Sequence, residues 1–292
     1  MNIRIILLII FATVHADESY RIIVNRPYVK NSQFIYSVEL KNTQFTELTI
    51  GGNPSRSSEK TDGKFSCLVT VLDSNKAGLW NKLKIKVYKV SFIHKGRDFK
   101  FKTMNKDILI KRTDKGLEFS LFTDHKLPEM DQTILNNFFP KKTRADSLFD
   151  PSKKVGLGDT WSVDEDKLAD FFNSTQNLLK VEAKNSIGKF ILKRVIKEKN
   201  SSYLDVHGAV SFKDLQSISP RFKGLELKSA EATIVMESLL PVNKKLPVRM
   251  SDYSFVMKIE GKKVVDGANA GIVTFVTNKV KILISEYKKA GK

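Results

Sequence analysis

The residues of this chain with the clearest chemical potential are lysines at alternating positions. Residues 82–87 read Lys-Leu-Lys-Ile-Lys-Val, and residues 98–102 read Asp-Phe-Lys-Phe-Lys. Alternate side chains of a β-strand point to opposite faces, so this spacing predicts lysines on one face and apolar residues on the other. A row of ammonium groups raises the local positive potential and attracts anions. The candidate anion-binding face consists of Lys82, Lys84, Lys86, Lys100 and Lys102.

The overall charge agrees with an anionic partner. The chain has 50 Lys and Arg against 32 Asp and Glu, a formal net charge of +18. A functional lysine face is therefore expected to bind anionic lipid or acidic polysaccharide, and the alternative is a face that only solvates the sheet and protects its edge. Nucleic-acid sites place aromatic rings among exposed basic side chains. Because Phe99 and Phe101 lie opposite the lysines, no nucleic-acid partner is expected.

Motifs for catalysis, metal binding or cofactor binding are absent from the sequence. It contains no His-Glu-x-x-His, Gly-x-Ser-x-Gly or Cys-x-x-Cys pattern. His94, His125 and His207 stand far apart in the chain, without the spacing of metal ligands. We therefore expect a protein that is not an enzyme, with no catalytic residue, no metal and no cofactor.

A cluster of acids supplies the one enzymatic alternative. Asp164, Glu165, Asp166 and Asp170 include carboxylates that could pair for the hydrolysis of a glycosidic bond. Asp164 and Glu165 are better explained as the cap and first turn of a helix, where negative charge is stabilised. A secreted hydrolase is therefore the less favoured interpretation.

The elements that must position these residues are mostly strands, because the dominant hydrophobic period is two. Besides the lysine-rich segments and residues 64–71 around Cys67, the predicted strands are Tyr20–Val24, Gln33–Leu40, Phe45–Ile50, Asp107–Lys111, Leu117–Leu121, Leu178–Ala183, Lys189–Val195, Ser202–Val206, Glu231–Glu237, Tyr253–Ile259, Gly271–Val276 and Lys279–Ile282. Turns are expected at Asp62-Gly63, Lys115-Gly116 and Glu260–Lys262, where glycine allows a positive φ. Helices are expected at Glu129–Phe139 and at residues 164–172, the second capped by Asp164.

This pattern predicts an α+β fold dominated by antiparallel sheet. Residues 140–159 are rich in turn formers, which favours two β-rich lobes, 17–150 and 151–292, each with one short covering helix. The alternative is a single curved half-barrel sheet. A single cysteine, Cys67, forms no internal disulfide, so stability must come from core burial. Cys67 itself is expected to be a buried structural thiol.

One string of residues carries a resemblance to a known group of proteins. Residues 149–154 read Phe-Asp-Pro-Ser-Lys-Lys, and residues 155–163 read Val-Gly-Leu-Gly-Asp-Thr-Trp-Ser-Val. This Gly-Asp-Thr-Trp motif midway along the chain resembles exported, uncharacterised β-rich domain families of planctomycete-like bacteria. The resemblance implies export and a shared fold, and it implies no activity. We expect Trp161 to lie on a strand before the second helix and to be buried in the core.

The N-terminus has the pattern of a secretory signal peptide over residues 1–16. Arg4 supplies a positive charge, Ile5–Val14 form a short apolar run, and Ala16 provides a small residue at the cleavage site. No later stretch approaches 18 uninterrupted apolar residues, so no transmembrane segment is expected in the mature chain. The protein is therefore expected to be exported, either to a periplasm or to the exterior.

Taken together, these patterns indicate a non-enzymatic exported protein that acts as an envelope or secreted binding module. Its partner would be anionic or amphiphilic. A lipid or lipoprotein carrier built as a half-barrel is an alternative form of the same idea, in which the 19 Phe and 7 Tyr residues line a binding surface. These aromatic residues suit a packed core equally well.

Export generates the first prediction. N-terminal sequencing of protein recovered from outside the cytoplasm is expected to begin at Asp17, because the signal peptidase cuts after the small residue at the end of the apolar run. Recovery of exported protein that still carries Met1 would contradict the assignment of a cleaved signal peptide.

Overall fold

The computed structural model describes residues 18–23, 28–75, 79–123, 125–139, 146–175, 179–198, 201–217, 225–243, 249–265 and 268–286. The predicted signal peptide lies outside these ranges. The helices are α1 (Glu129–Phe138) and α2 (Glu165–Thr175), with short 3₁₀ helices at Asp146–Phe149 and Ala183–Asn185. The strands are β1 (Gln33–Ile50), β2 (Asn53–Ser74), β3 (Trp80–His94), β4 (Arg97–Asp98), β5 (Asp107–Thr113), β6 (Gly116–Leu121), β7 (Thr160–Ser162), β8 (Leu179–Lys180), β9 (Ser186–Glu198), β10 (Ser201–Phe212), β11 (Gln216–Ser217), β12 (Leu225–Pro241), β13 (Met250–Val265) and β14 (Ala268–Glu286).

One open antiparallel sheet of 12 strands dominates the described part of the chain. Its order is β6-β5-β3-β2-β1-β14-β13-β12-β10-β9-β7, with β4 on β3, while β8 and β11 pair with each other. Strands hold 67% of the described residues and helices 11%, which confirms the predicted α+β, mostly antiparallel fold class. The sheet runs through both predicted lobes, because β1 pairs with β14 along its whole length. The domain boundary near residue 150 stays a prediction.

Both α-helices lie on the same face of the sheet, which we call the covered face, and α1 covers the first hydrophobic core. Alternate residues of β1 from Phe34 to Leu40 point into this core, as the period of two predicts. Phe138 of α1 stacks on Phe65 of β2, with ring centroids 4.9 Å apart. Burial of such apolar area is the main favourable term in folding. This burial holds α1, which corresponds to the helix predicted at Glu129–Phe139, against the sheet.

The second core lies under α2. The predicted cap is confirmed, since Asp164 Oδ1 accepts a hydrogen bond of 3.0 Å from the backbone N–H of Lys167. Leu168 is fully buried, and Phe172 packs on Phe212 of β10 with ring centroids 4.6 Å apart. The apolar stripe of α2 therefore anchors it to the second half of the sheet. Within the described ranges, neither helix has the length and apolar content needed to cross a membrane.

Two of the three predicted turns are wrong. Asp62-Gly63 lies inside β2, and Glu260–Lys262 lies inside β13. Lys115-Gly116 does form the predicted turn, between β5 and β6, with a φ of 133° at Gly116. Gly63 serves packing instead of turning, because a Cβ at this position would lie 2.8 Å from the ring of Phe138. A glycine in the sequence does not distinguish these two roles.

Three predicted strands are shorter than expected. The strand predicted for residues 98–102 ends with β4 at Asp98, and the following residues form a loop along the edge of β3, where Phe99 N–H donates to the Phe92 carbonyl at 2.9 Å. Of the strand predicted at Tyr20–Val24, the described residues 20–23 contribute a single bridge, from Tyr20 to Val155, and Val24 lies outside the described residues. Of residues 178–183, the structure assigns Leu179–Lys180 to a strand. Short apolar runs thus predicted strands where neighbouring strands were not available to pair.

Trp161 occupies the predicted strand before α2 and packs against the second core, but it is only partly buried. It lies on β7 at the edge of the sheet and is half-buried. Its Nε1–H donates to the Phe149 carbonyl at 2.9 Å, and its ring stacks on Phe190 with centroids 5.9 Å apart. The edge position leaves one side of the indole without a packing partner strand.

A buried carboxylate ties the loop before β5 to α1. Asp131 is fully buried, and its oxygens accept hydrogen bonds from the backbone N–H of Lys102 at 2.9 Å and from the backbone and hydroxyl of Thr103 at 2.9 and 2.7 Å. Hydrogen bonds to a charged group are stronger than those between neutral groups. Asp131 therefore fixes the position of the loop against the first core.

Asp131→Ala is expected to lower the free energy of unfolding by about 2–4 kcal/mol, because it leaves several buried donors unpaired. Glu129→Ala is the matched control on the exposed side of the same helix, with an expected loss of about 1 kcal/mol or less. Urea denaturation measures both. Equal losses in the two variants would contradict the anchoring role of Asp131.

Candidate functional site

The alternation predicted for β3 is confirmed. Lys82, Lys84 and Lys86 lie on the face opposite the helices, which we call the opposite face. The intervening apolar residues are buried in the first core, each no more than 2% exposed: Leu83, Ile85 and Val87.

Acidic side chains share the opposite face with these lysines. Lys84 Nζ lies 3.4 Å from Asp107 Oδ2 of β5. The register sets Asp73 of β2 against Lys82, and it sets Asp107 against Lys86. Directly opposed residues of antiparallel strands have neighbouring side chains, so the positive charge of this row is partly offset. Anion binding by this face stays a prediction.

The other two lysines of the predicted face lie on a different element. Lys100 and Lys102 belong to the loop between β4 and β5. Lys100 forms an ion pair with Asp98, and the backbone of Lys102 is held by Asp131. The five lysines therefore do not form one continuous strand face.

Two groups whose chemistry could serve catalysis, His207 and the Cys67 thiol, have the following surroundings. His207 Nε2 lies 3.0 Å from Asp205 Oδ1, and the same carboxylate accepts a hydrogen bond of 2.5 Å from Arg194 Nε. Burial raises the pKa of the Cys67 thiol well above its usual value, so the thiol stays protonated and unreactive. In the part of the chain that the structure describes, no three His, Cys, Asp or Glu side chains are placed to hold a metal ion.

β2 and β12 extend past their outer neighbours, β3 and β10. Together with the three strands between them, β1, β14 and β13, they form a surface that the sequence patterns did not indicate. β3 pairs with β2 from Thr61 onward, and β10 pairs with β12 from Ala232 onward. On β1 and β2, the residues of the first core end at Leu40 and Phe65. We call the part beyond these limits the projecting sheet: residues 53–60 of β2, 42–50 of β1, 268–278 of β14, 255–265 of β13 and 225–231 of β12. Within these ranges Ala230 and Ile259 are buried at the margin of the second core, and Ala270 is also buried.

On its covered face, the projecting sheet presents half-exposed apolar side chains. Leu48 of β1 lies opposite Ile272 of β14, and Val276 of β14 lies opposite Met257 of β13. Leu48, Ile272 and Val276 are half-exposed and belong to neither core, whereas Met257 and Phe255 pack against the margin of the second core. We call these five residues the apolar strip.

The opposite face of the projecting sheet is also partly apolar. Phe45 and Phe275 are cross-strand neighbours with ring centroids 6.5 Å apart. Phe275 is 38% exposed and Val256 is 42% exposed. Lys258 Nζ lies 5.7 Å from the centroid of the Phe275 ring, within the range of a cation–π interaction. The projecting sheet therefore exposes apolar area on both of its faces.

A pair of asparagines marks the border between the covered and projecting parts of the sheet. Asn42 of β1 and Asn278 of β14 face each other on the covered face. Their Oδ1 atoms are buried and have no hydrogen-bond partner among the described residues. Leaving a buried polar atom unpaired costs about 1–3 kcal/mol. At this border, the surrounding side chains of the described ranges therefore donate no hydrogen bond to either Oδ1 atom.

The sequence does carry a signal for the projecting sheet. Residues 45–50 read Phe-Thr-Glu-Leu-Thr-Ile, and residues 271–276 read Gly-Ile-Val-Thr-Phe-Val. Each segment has apolar residues at both odd and even positions, whereas the lysine-rich strands keep them on one parity. A strand that is apolar on both parities, and not enclosed by the fold, exposes apolar area on at least one face.

Comparison with known proteins gives no family. No family model matches the chain, and no curated protein matches it. Among solved structures, the chain aligns with lipovitellin, in a structure described by its lipid–protein interactions, over 91% of its own length and 26% of that chain, with 7% identity and a TM-score of 0.36. The chain thus spans about a quarter of the lipovitellin chain.

Two further structures align over nearly all of both chains. A DUF1329 family protein from Desulfovibrio piger has 8% identity and a TM-score of 0.13, with 88% of this chain and 87% of that chain covered. The outer membrane protein OprG from Pseudomonas aeruginosa has 7% identity and a TM-score of 0.16, with 90% and 100% covered. At TM-scores this low, these likenesses carry no inference about this chain.

The exposed apolar strip generates a prediction for the folded protein. Nile red, a neutral dye that fluoresces in apolar surroundings, is expected to bind the native protein, and Leu48→Thr/Ile272→Thr is expected to remove most of the signal. Threonine keeps the β-propensity of these positions while adding a hydroxyl. The control is Ile187→Thr/Leu283→Thr, which changes two apolar residues elsewhere that are more exposed than Leu48 and Ile272. Equal loss in both variants would contradict a specific role for the strip.

Proposed function

We propose that this protein is an exported, non-enzymatic binding protein that holds amphiphilic molecules against its projecting sheet. The observation that carries the proposal is the exposure of apolar side chains on both faces of this sheet. A contiguous exposed apolar surface marks a binding site more often than isolated exposed residues do. Covering such a surface is favourable by roughly 25 cal/mol per Å² of apolar area removed from water.

The chemistry around the apolar strip favours an amphiphile. On the covered face, the strip is bordered by polar side chains of β1 and β2, among them Gln44, Thr46, Ser55, Ser57 and Glu59. A ligand with an apolar tail and a polar head matches an apolar strip with a polar margin. The unpaired Oδ1 atoms of Asn42 and Asn278 lie at the end of the strip that adjoins the cores. These two oxygen atoms could accept hydrogen bonds from the polar head of a ligand.

Binding of individual molecules fits this surface better than insertion into a bilayer does. Residues 53–60 of β2 have β1 on one side and no described strand on the other. The unpaired backbone N–H and C=O groups of such an edge are not tolerated in the hydrocarbon region of a membrane. All side chains of these eight residues are exposed, and Arg56, Glu59 and Lys60 carry charge. The edge thus stays in water while the faces bind the ligand.

The surroundings of the lysine row on β3 favour an anionic partner less strongly than the sequence pattern alone does. Lys84 has a carboxylate at 3.4 Å, and Lys82 has one opposite it in the register. Exposed ion pairs of this kind are worth about 0–1 kcal/mol, but they reduce the potential that a free anion would meet. We therefore favour solvation of the opposite face as the role of these lysines.

Native mass spectrometry tests the proposal. Protein purified without detergent from the cells that export it is expected to carry a bound amphiphile, visible as added mass that organic extraction removes. Leu48→Thr/Ile272→Thr is expected to carry much less, and Ile187→Thr/Leu283→Thr is expected to carry the wild-type amount. Bare protein mass in every wild-type preparation would contradict the proposed function.

A further inference from the structure

Gly271, in the projecting sheet, has enough free space around it to hold a larger side chain. A Cβ would lie 2.0 Å from the Phe190 ring at Gly208, 2.8 Å from the Phe138 ring at Gly63, and 3.0 Å from Leu168 at Gly188. At Gly271 of β14, the nearest atom to an added Cβ is the Cβ of Thr49, at 4.0 Å, an ordinary contact distance. Glycine inside a strand weakens the strand and often marks a place where a ligand approaches closely.

The missing side chain of Gly271 leaves a depression on the opposite face. Thr49 of β1 and Lys262 of β13 flank Gly271 in the register. The depression has a volume of about 350 Å³, and its wall includes Lys228, Glu260 and Asn269. A volume of this size accommodates the head group of a lipid. Hydroxyl, amide and ammonium groups surround it, and all of these can donate hydrogen bonds to an anion.

Two lysines beside the depression form no ion pair among the described residues. Glu260 forms its ion pair with Lys258, which lowers the pKa of the Glu260 carboxyl most, and the charge of Lys228 lowers it further. Lys262 lies opposite Glu226 in the register, yet no carboxylate of the described residues lies within 4.0 Å of either Lys262 or Lys228. Lys228 occupies a β-bulge between Leu227 and Ser229, and a bulge re-aims the side chain of the extra residue. Two ammonium groups therefore border the depression without forming ion pairs.

The same face continues from the depression onto apolar residues. Val273 is two residues from Gly271 on β14, so both lie on one face, and it also lines the depression. Phe275 follows two residues further on, with its ring beside that of Phe45. A ligand whose head lies at Gly271 can therefore lay its tail along Val273 and the two phenylalanines.

We infer that the depression at Gly271 binds the anionic head group of a phospholipid, with Lys228 and Lys262 as the charged contacts. Thr49 and Asn269 donate hydrogen bonds to the phosphate oxygens, and the tail lies along Val273, Phe45 and Phe275. This inference rests on the proposed function and names a ligand class for the opposite face of the projecting sheet, separately from the apolar strip on the covered face. Glycine at position 271 is explained by the space that the head group needs.

Isothermal titration calorimetry with a short-chain phosphatidylglycerol tests the site. The wild-type protein is expected to bind it, and Gly271→Val is expected to lose binding by at least roughly tenfold because the side chain takes the space above the backbone of residue 271 that the head group needs. Lys228→Gln/Lys262→Gln is expected to weaken binding by roughly tenfold or more, because each lysine raises the affinity for an anionic lipid by roughly fivefold. The melting temperature of Gly271→Val is expected to equal or exceed that of wild type, since valine favours strands.

Controls separate this site from its alternatives. Lys82→Gln/Lys86→Gln, on the lysine row of β3, is expected to bind like wild type. A phosphatidylcholine of the same chain length and inorganic phosphate are each expected to bind more weakly than phosphatidylglycerol. Wild-type affinity in Gly271→Val, or equal affinity for inorganic phosphate, overturns the head-group site while leaving amphiphile binding intact. Absence of any lipid binding by the wild-type protein overturns both proposals.

Discussion

The pairing of β1 with β14 is the interaction on which the rest of the structure depends. It runs without a break from Phe34 against Glu286 to Ile50 against Ala270. On one side it carries the strands under α1, and on the other the strands under α2. Each helix covers its own core, so these central strands are the main link between the two cores. Their length also has a consequence for the ligand site, because strands longer than the cores they serve must extend into solvent.

The projecting sheet is therefore a product of the same strands that hold the fold together. Near the cores, β1 buries Phe34 and Val38, and hydrophobic burial stabilises that part. Farther along, the same strand carries Leu48 and Ile50, which are half-exposed. Hydrogen bonds between strands continue into this region, but the hydrophobic contribution falls. A bound amphiphile would restore it, and the protein would then be more stable with its ligand than without it.

The sequence predicted most of the fold because its period of two is strong where one face is buried. The lysine row of residues 82–87 is the best example, since the structure buries each of its apolar residues. The sequence failed where glycine has more than one use, as at Gly63, or where pairing depends on distant strands, as in residues 98–102. It singled out the lysine row but missed the projecting sheet. That surface is defined by where neighbouring strands stop, and pairing partners far apart in the chain decide this.

The outer edge of β2 at residues 53–60, which has no partner strand among the described residues, bears on how copies of this protein behave together. An exposed edge strand is a template for pairing with another chain, and it leads to aggregation unless its side chains oppose this. Here residues 53–60 read Asn-Pro-Ser-Arg-Ser-Ser-Glu-Lys. Pro54 lacks an N–H to donate, and the charged residues disfavour burial between two sheets. The side chains of this edge therefore oppose its pairing with a second copy of the chain, while the two faces beside it carry no such protection.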